Sequence, residues 1–257
     1  MSVTTPKLLL GRWIARQAAP DAAQWLEDHA AAIGEDRPDA TIDHDLAMIL
    51  ARMPRRFGRD DLFLDAVDLA EADAACPGWS PAGLSLDGAA RIYVLLALPA
   101  EGFAARFRRL RQGADLGELV ALFRGLPLYP DPHGLEAEAA EGLRTNMRAI
   151  FEAIAHNSPY PAPIFDQHRW NHMVLKALFV GSALAPIQGL EARANKELAV
   201  ILRDYVRERR AAGRPLPPDL WRCLEPHAAA AGALDELAAA RLAAIPAPAP
   251  SIEEPTA

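Results

Sequence analysis

Lys176 sits in the most unusual chemical setting of this chain. Trp170, Met173, Val174, Leu175, Ala177, Leu178, Phe179 and Val180 surround it and cover nearly the whole circumference of a helix at 100° per residue. A helix apolar all round is buried on most sides, and an ammonium carried there must be paired, snorkel outward or lose its proton. Lys176 is therefore expected within reach of a carboxylate, with Glu208 and Glu197 as the first candidates. A desolvated lysine can act as an anion clamp or as a nucleophile towards a carbonyl. It can equally be half of a structural ion pair.

Other polar groups fall nearby. Asn171 and Asn195 lie in segments that read as helix interior, where asparagine has poor propensity, so each is expected to hold a neighbouring loop or a polar ligand between helices. Asn157 and Tyr160 stand among Pro159, Pro161 and Pro163 in a loop, and a structural role is the default for them. Arg203, Arg207, Arg210 and Arg214 follow spacings that line up one helix face. With Asp204 and Glu208 beside them they read as a solvated face with local ion pairs, the alternative being an anion or acidic-partner site. His168 and His172 are four apart, half of a metal site, but Arg169, Trp170 and Asn171 between them supply no further ligand or general base, and no bound metal is expected. Ser158, Ser182 and Cys223 lack an activating context, and no glycine-rich phosphate loop or other cofactor signature is present.

The elements that must position these groups read as helices almost throughout. Asp60-Asp61 precede an apolar 3.6-residue pattern at Leu62, Phe63, Ala66, Val67, Leu69 and Ala70, which predicts a helix start there. Asp115 and Glu118 have capping-box spacing ahead of Leu119 and Val120. Residues 92–98, closed by Pro99, are expected as helix rather than buried strand. Breaks are expected at Pro54, Pro77-Gly78, Pro99, Gly113, the prolines of 127–132 and 159–163, Pro186, 213–218 and Pro226. Residues 116–155 and 166–213 each read as two helices around a bend, so the fold class is all-α, an array of antiparallel helix pairs, solenoid-like in one reading, in a single compact domain over residues 1–244. Residues 245–257, alternating proline and alanine before turning acidic, are expected as a disordered tail.

Composition narrows the function classes. With 257 residues, 51% of them hydrophobic, the chain can bury one large core or two closely packed halves. A formal charge of −7 gives no electrostatic reason to expect nucleic acid as a partner. The two cysteines, Cys76 and Cys223, form no ligand-spaced pair, which fits a reducing cytoplasm. Arg12 and Arg16 interrupt the first apolar run, so no export signal is expected. No uncharged stretch approaches the roughly 20 residues of a membrane span, and no membrane insertion is expected.

One dense stretch, residues 144 to 221, carries a family likeness. It runs Arg144-Thr145-Asn146, Phe151-Glu152-Ala153-Ile154-Ala155, Asn157-Ser158-Pro159-Tyr160-Pro161-Ala162 and Phe165. Trp170-Asn171, residues 173–179, Ile187-Gln188-Gly189-Leu190, Arg193-Ala194-Asn195 and Leu198-Ala199 follow, and then Glu208-Arg209, Ala211-Ala212-Gly213-Arg214 and Leu220-Trp221-Arg222. About eight short motifs in this order resemble the EboA family, encoded in bacterial and algal metabolite clusters as metabolite-traffic proteins. A looser likeness extends upstream through Trp79, residues 91–96 and 118–122. The family usually has tryptophan where Arg210 stands and glutamine where His172 stands, so neither the whole arginine stripe nor the histidine pair is a family feature.

The resemblance implies a cytoplasmic accessory protein that binds a small metabolite or the pathway proteins of an ebo-type cluster, which includes a membrane prenyltransferase-like protein and soluble enzymes. It adds Arg144, Asn146, Arg193, Arg214 and Trp221 to Asn157, Tyr160, Trp170, Asn171, Lys176, Asn195 and Glu208 as candidates for ligand or partner binding. Two rivals stay open: an enzyme working in a helical pocket with Lys176, Arg193 or Glu208, and a purely structural scaffold.

Overall fold

The computed structural model describes residues 4–33 and 39–243, so the expected tail at 245–257 lies outside the described residues. Those residues are all-α, and the only extended pairings among them are isolated bridges, Asp61 with Ser85 and His156 with Ile187. The chain divides into two compact units, Met1–Gly189 and Leu190–Ala257, each with its own core.

The first unit opens with α1 (Pro6–Gln17), α2 (Pro20–Ile33), α3 (Asp39–Phe57), α4 (Ala66–Ala75) and α5 (Leu86–Leu95). Thr5 caps α1 by accepting from the Leu8 N–H, with Pro6 in the first turn, where a missing N–H costs nothing. The helix buried on all sides is α5, every residue of which is buried, and α1, α2, α3 and later α7 pack around it. It carries two charges into the core. Asp87 and Arg91 pair one turn apart, Ser85 Oγ donates to Asp87 at 2.6 Å, and Glu118 reaches Arg91 at 3.9 Å, so neither charge is left uncompensated. The expected helix over 92–98 is thus the end of this central helix, which stops at Leu95 before Pro99.

Two local expectations are corrected here. The helix expected to start at Asp60-Asp61 begins five residues later, capped by Asp65, because Leu62 N–H donates to Leu84 O and Leu86 N–H to Asp60 O. Backbone groups committed to that pairing cannot join a helix. Pro54 lies inside α3 instead of breaking it, and the helix ends at Phe57, where Gly58 adopts a φ of +74°. Without an N–H, Pro54 cannot bond to Leu50 O, and the helix runs only three residues further.

The unit continues with α6 (Phe103–Gly113), α7 (Leu116–Arg124), α8 (Glu136–Arg144), α9 (Arg148–Ala155), α10 (Pro161–Ile164) and α11 (Gln167–Val180). The capping box of Asp115 and Glu118 is present at the start of α7. Residues 116–155 hold three α-helices where two were expected, since the prolines of 127–132 form 3-10 turns and Thr145, with Met147 in extended conformation, separates α8 from α9. Helix α9 is the shared support of this half of the unit: its buried Ile150, Phe151 and Ile154 face inward, and α7, α8 and α11 all contact it.

The second unit contains α12 (Lys196–Ala211), α13 (Trp221–Leu224), α14 (Ala228–Ala231) and α15 (Leu234–Ala243). Leu198, Ala199, Leu202, Tyr205 and Val206 form the buried stripe of α12, on which the three shorter helices pack.

Candidate functional site

A groove of about 920 Å³ lies in the first unit between α8 and α11. Its α8 wall is made by Ala137, Ala140, Glu141, Leu143 and Arg144, continued by Asn146, and its α11 wall by His168, Arg169, His172, Met173, Leu175, Lys176, Phe179 and Val180, with Asp166 at the start. Small side chains on α8 leave the space. Gly142 lets α8 seat closely on its neighbours, for a Cβ there would lie 2.5 Å from Phe123 Cζ and 2.7 Å from Ile154 Cδ1. On α11 the side chains of His168, His172, Leu175 and Phe179 recur at helical spacing along a face that is open, and Phe179 is 63% exposed. The expectation that α11 is buried on most sides is therefore corrected: Trp170, Met173, Val174 and Ala177 fill the interior, while the opposite face stays uncovered.

The charges in the groove are partly committed. Arg169 pairs with Glu136 across the helix starts, Arg144 pairs with Glu141 at 3.3 Å, and Asp166 caps α11 by accepting from the Arg169 N–H at 2.7 Å. Lys176 is different. It is half-buried, and no described carboxylate of its own unit pairs with it; Glu208 and Glu197 belong to the second unit. Burial alone moves its ammonium, lowering the pKa from the usual lysine value. Nor is it needed to cap its own helix, because Gly181, at a φ of +69°, and Ser182 both donate backbone N–H groups to Ala177 O.

The groove brings together three of the sequence candidates, Arg144, Asn146 and Lys176. Trp170 and Asn171 share α11 with Lys176 but point the other way into the core, both essentially inaccessible. Asn157 and Tyr160 serve the corner after α9. Asn157 holds a φ of +51°, its N–H donates to Pro186 O at 2.9 Å, and its carbonyl accepts from Ser80 N–H at 3.2 Å. Buried Tyr160 donates its hydroxyl to Pro132 O at 2.7 Å and packs edge-on against Phe165. Both side chains or backbones are thus fastening loops.

Five candidates belong to the second unit. Asn195 is not mid-helix as expected; it is the N-cap of α12, its Oδ1 accepting from Leu198 N–H at 2.9 Å and its Nδ2 donating to Arg193 O at 3.0 Å. An extended residue ahead of a helix reads as helix interior when the pattern before it is apolar. Arg193 and Trp221 are half-buried, while Glu208 and Arg214 are exposed. The arginine stripe is largely exposed and locally paired: Arg203 meets Asp204 at 2.7 Å and donates to Ala231 O at 2.6 Å, Arg207 donates to Glu236 at 2.5 Å, and Arg210 to Glu236 O at 3.1 Å. These three arginines fasten α12 to α14 and α15.

Two arrangements invite a catalytic reading and do not sustain one. Ser182, His156 and Glu152 lie together, with Ser182 Oγ donating to Glu152 Oε1 at 2.7 Å and lying 3.1 Å from His156 Nε2. The serine proton points at the carboxylate, and the same imidazole nitrogen is 2.9 Å from Ala183 O, which requires it to be a donor. A donor nitrogen cannot accept the serine proton, so the cluster closes the end of α9 and activates nothing. His168 and His172 stack with ring centroids 4.3 Å apart, but among the described residues no three His, Cys, Asp or Glu side chains are grouped as metal ligands.

The sequence reading missed the groove as a unit, above all His168, Leu175 and Phe179 as its open face. The signal was available in α8, where Ala137, Ala140, Glu141 and Arg144 recur at helical spacing, the two alanines supplying the short part of the wall.

A family model described as metabolite traffic protein EboA matches residues 7–225, a span that takes in the groove and the second unit as far as α13. No curated protein and no solved structure gives a match. No described helix is long and apolar enough to cross a membrane. With the groove and nearly the whole described chain inside the matched span, this chain belongs to the EboA family of metabolite traffic proteins.

Proposed function

We propose that the chain binds a small metabolite in the groove between α8 and α11 and passes it on without chemical turnover. The observation that carries this reading is the groove itself, apolar over Leu143, Met173, Leu175, Phe179 and Val180, with a lysine that no carboxylate of the described residues neutralises. Its volume is that of a small-molecule site, and apolar walls with a few placed polar groups are what such sites use. Proteins of the same pathway are the proposed donors and acceptors, in the cytoplasm.

A second reading has one observation behind it. Desolvation holds the Lys176 pKa down, which increases the neutral amine able to attack an aldehyde or ketone. Native mass spectrometry of protein purified from cells carrying the whole pathway tests the first reading: a retained small molecule is expected, and Ala140→Trp, which fills the groove, should abolish it. Borohydride trapping of a covalent adduct on Lys176, with multiple turnovers by purified protein, would install the enzymatic reading instead.

A further inference from the structure

We infer that the ligand of this groove is an elongated amphiphilic anion, its apolar body lying along Leu175, Phe179 and Val180 and its single carboxylate or phosphate head meeting Lys176. The inference rests on the groove reading above and adds the chemical class of the occupant. The charge pairing carries it. Of the three cationic side chains lining the groove, Arg169 pairs with Glu136 and Arg144 makes an exposed pair with Glu141. Lys176 has no carboxylate partner among the described residues of its unit. A neutral ligand would leave that ammonium desolvated and uncompensated, whereas an anionic head would complete the pair.

The shape argues the same way. The groove follows α11 from His168 to Val180, a length of about 18 Å at 1.5 Å per residue. Lys176 stands in its farther half, and Leu175, Phe179 and Val180 continue the apolar wall beside it. A flat, polar metabolite would leave most of this wall in water. A chain-like or extended ring system would cover it while keeping its head at the ammonium, and covering Phe179 would remove the most exposed aromatic of the groove from solvent.

Titration calorimetry with four probes sharing one tail separates the possibilities: decanoate, decyl phosphate, decanol and decyltrimethylammonium, all below their micellar concentrations. Both anions are expected to bind at least about tenfold more tightly than decanol, the scale of one charge-assisted hydrogen bond, and the ammonium more weakly than decanol. The tighter of the two anions identifies the head as carboxylate or phosphate. Lys176→Met should bring both anions down to the decanol level while leaving decanol within about twofold, and Lys176→Arg should keep the anion preference. If decanol and decanoate bind equally and Ala140→Trp abolishes both, the groove reading stands and the anionic class is overturned. If no probe binds, or binding survives Ala140→Trp, the groove reading and this inference fall together. Sedimentation with anionic lipid vesicles without binding of any soluble probe would reassign the face to a membrane surface and overturn the inference.

Discussion

Asp68 offers the most quantitative test of how the first unit is held. It is 4% exposed and accepts from Trp13 Nε1 at 2.8 Å, from Arg16 Nη2 at 2.5 Å and from the Asp65 N–H at 3.1 Å, so it ties α1 to the capped start of α4. In Asp68→Ala the fully buried Trp13 indole loses its acceptor, a loss of about 1–3 kcal/mol. The reciprocal half of the α4 capping box adds about 0.5–1 kcal/mol, and the Arg16 pair, on a largely exposed guanidinium, adds no more than about 1 kcal/mol. The expected destabilisation is about 2–4 kcal/mol in urea, or roughly 10 °C in Tm for a chain of this size. The pH dependence fixes the cause. The hydrogen bond from Arg16 is the main influence holding the Asp68 carboxyl below its ordinary value of 3.8, against the opposing pull of burial. A depressed carboxylate contributes its full stability above the ordinary value and loses it as the pH falls through the lower value of the folded chain. The gap between wild type and Asp68→Ala should therefore be constant from neutral pH to about 5 and narrow below 3.8. A cost under about 1 kcal/mol, or a gap insensitive to acid, would refute the role given to this carboxylate.

Gly142→Ala should cost about 1–3 kcal/mol in chemical denaturation, because its Cβ meets Phe123 and Ile154 within contact distance and α8 must move. Asn157→Ala should cost about 1–2 kcal/mol at the left-handed corner while Asn157→Gly stays near neutral, a contrast readable by Tm. Burial lowers the His156 pKa below its ordinary 6.5 despite the nearby Glu152, so the folded chain binds this proton less readily than the unfolded one. Stability should fall as the pH drops below 6.5, and His156→Gln should flatten that slope in pH-dependent unfolding. Lys176→Met should change stability by less than about 0.5 kcal/mol, since no ion pair is broken among the described residues; a loss of about 3–5 kcal/mol would reveal a buried partner.

The fold class was legible because helical periodicity and cap residues are local, and the α7 capping box shows how complete such a signal can be. Starts that depend on distant backbone pairing were not legible: Asp60-Asp61 looked like a helix entry until residues 84–86 claimed its backbone groups. Apolar composition also does not say which of two helices is central. The all-round burial read into α11 belongs to α5, whose sequence carries the more polar-looking Asp87 and Arg91. For the site, the family likeness marked a stretch that takes in one end of the groove, but three of its conspicuous residues, Asn157, Tyr160 and Asn195, are fasteners of loops and caps. Lys176 stood out for its desolvation, but no carboxylate of its own unit answers it, because a sequence shows what surrounds a residue along its helix and not which side is left open.

The walls of the groove are joined unequally along their length. Arg169 and Glu136 link the first turns of α11 and α8, whereas the last residues of those helices, Val180 and Arg144, both line the groove and share no such link among the described residues. Both helices rest on α9, so they resemble two jaws on one hinge, latched at one end. The ligand proposed for this cleft would enter and leave lengthwise through the unlatched end, past Asn146 and Phe179. Its residence time would then depend on the tail that must slide free as well as on the polar contact at its head. Exchange of cargo would accelerate whenever a partner pried that end apart, with no need to disturb the latch.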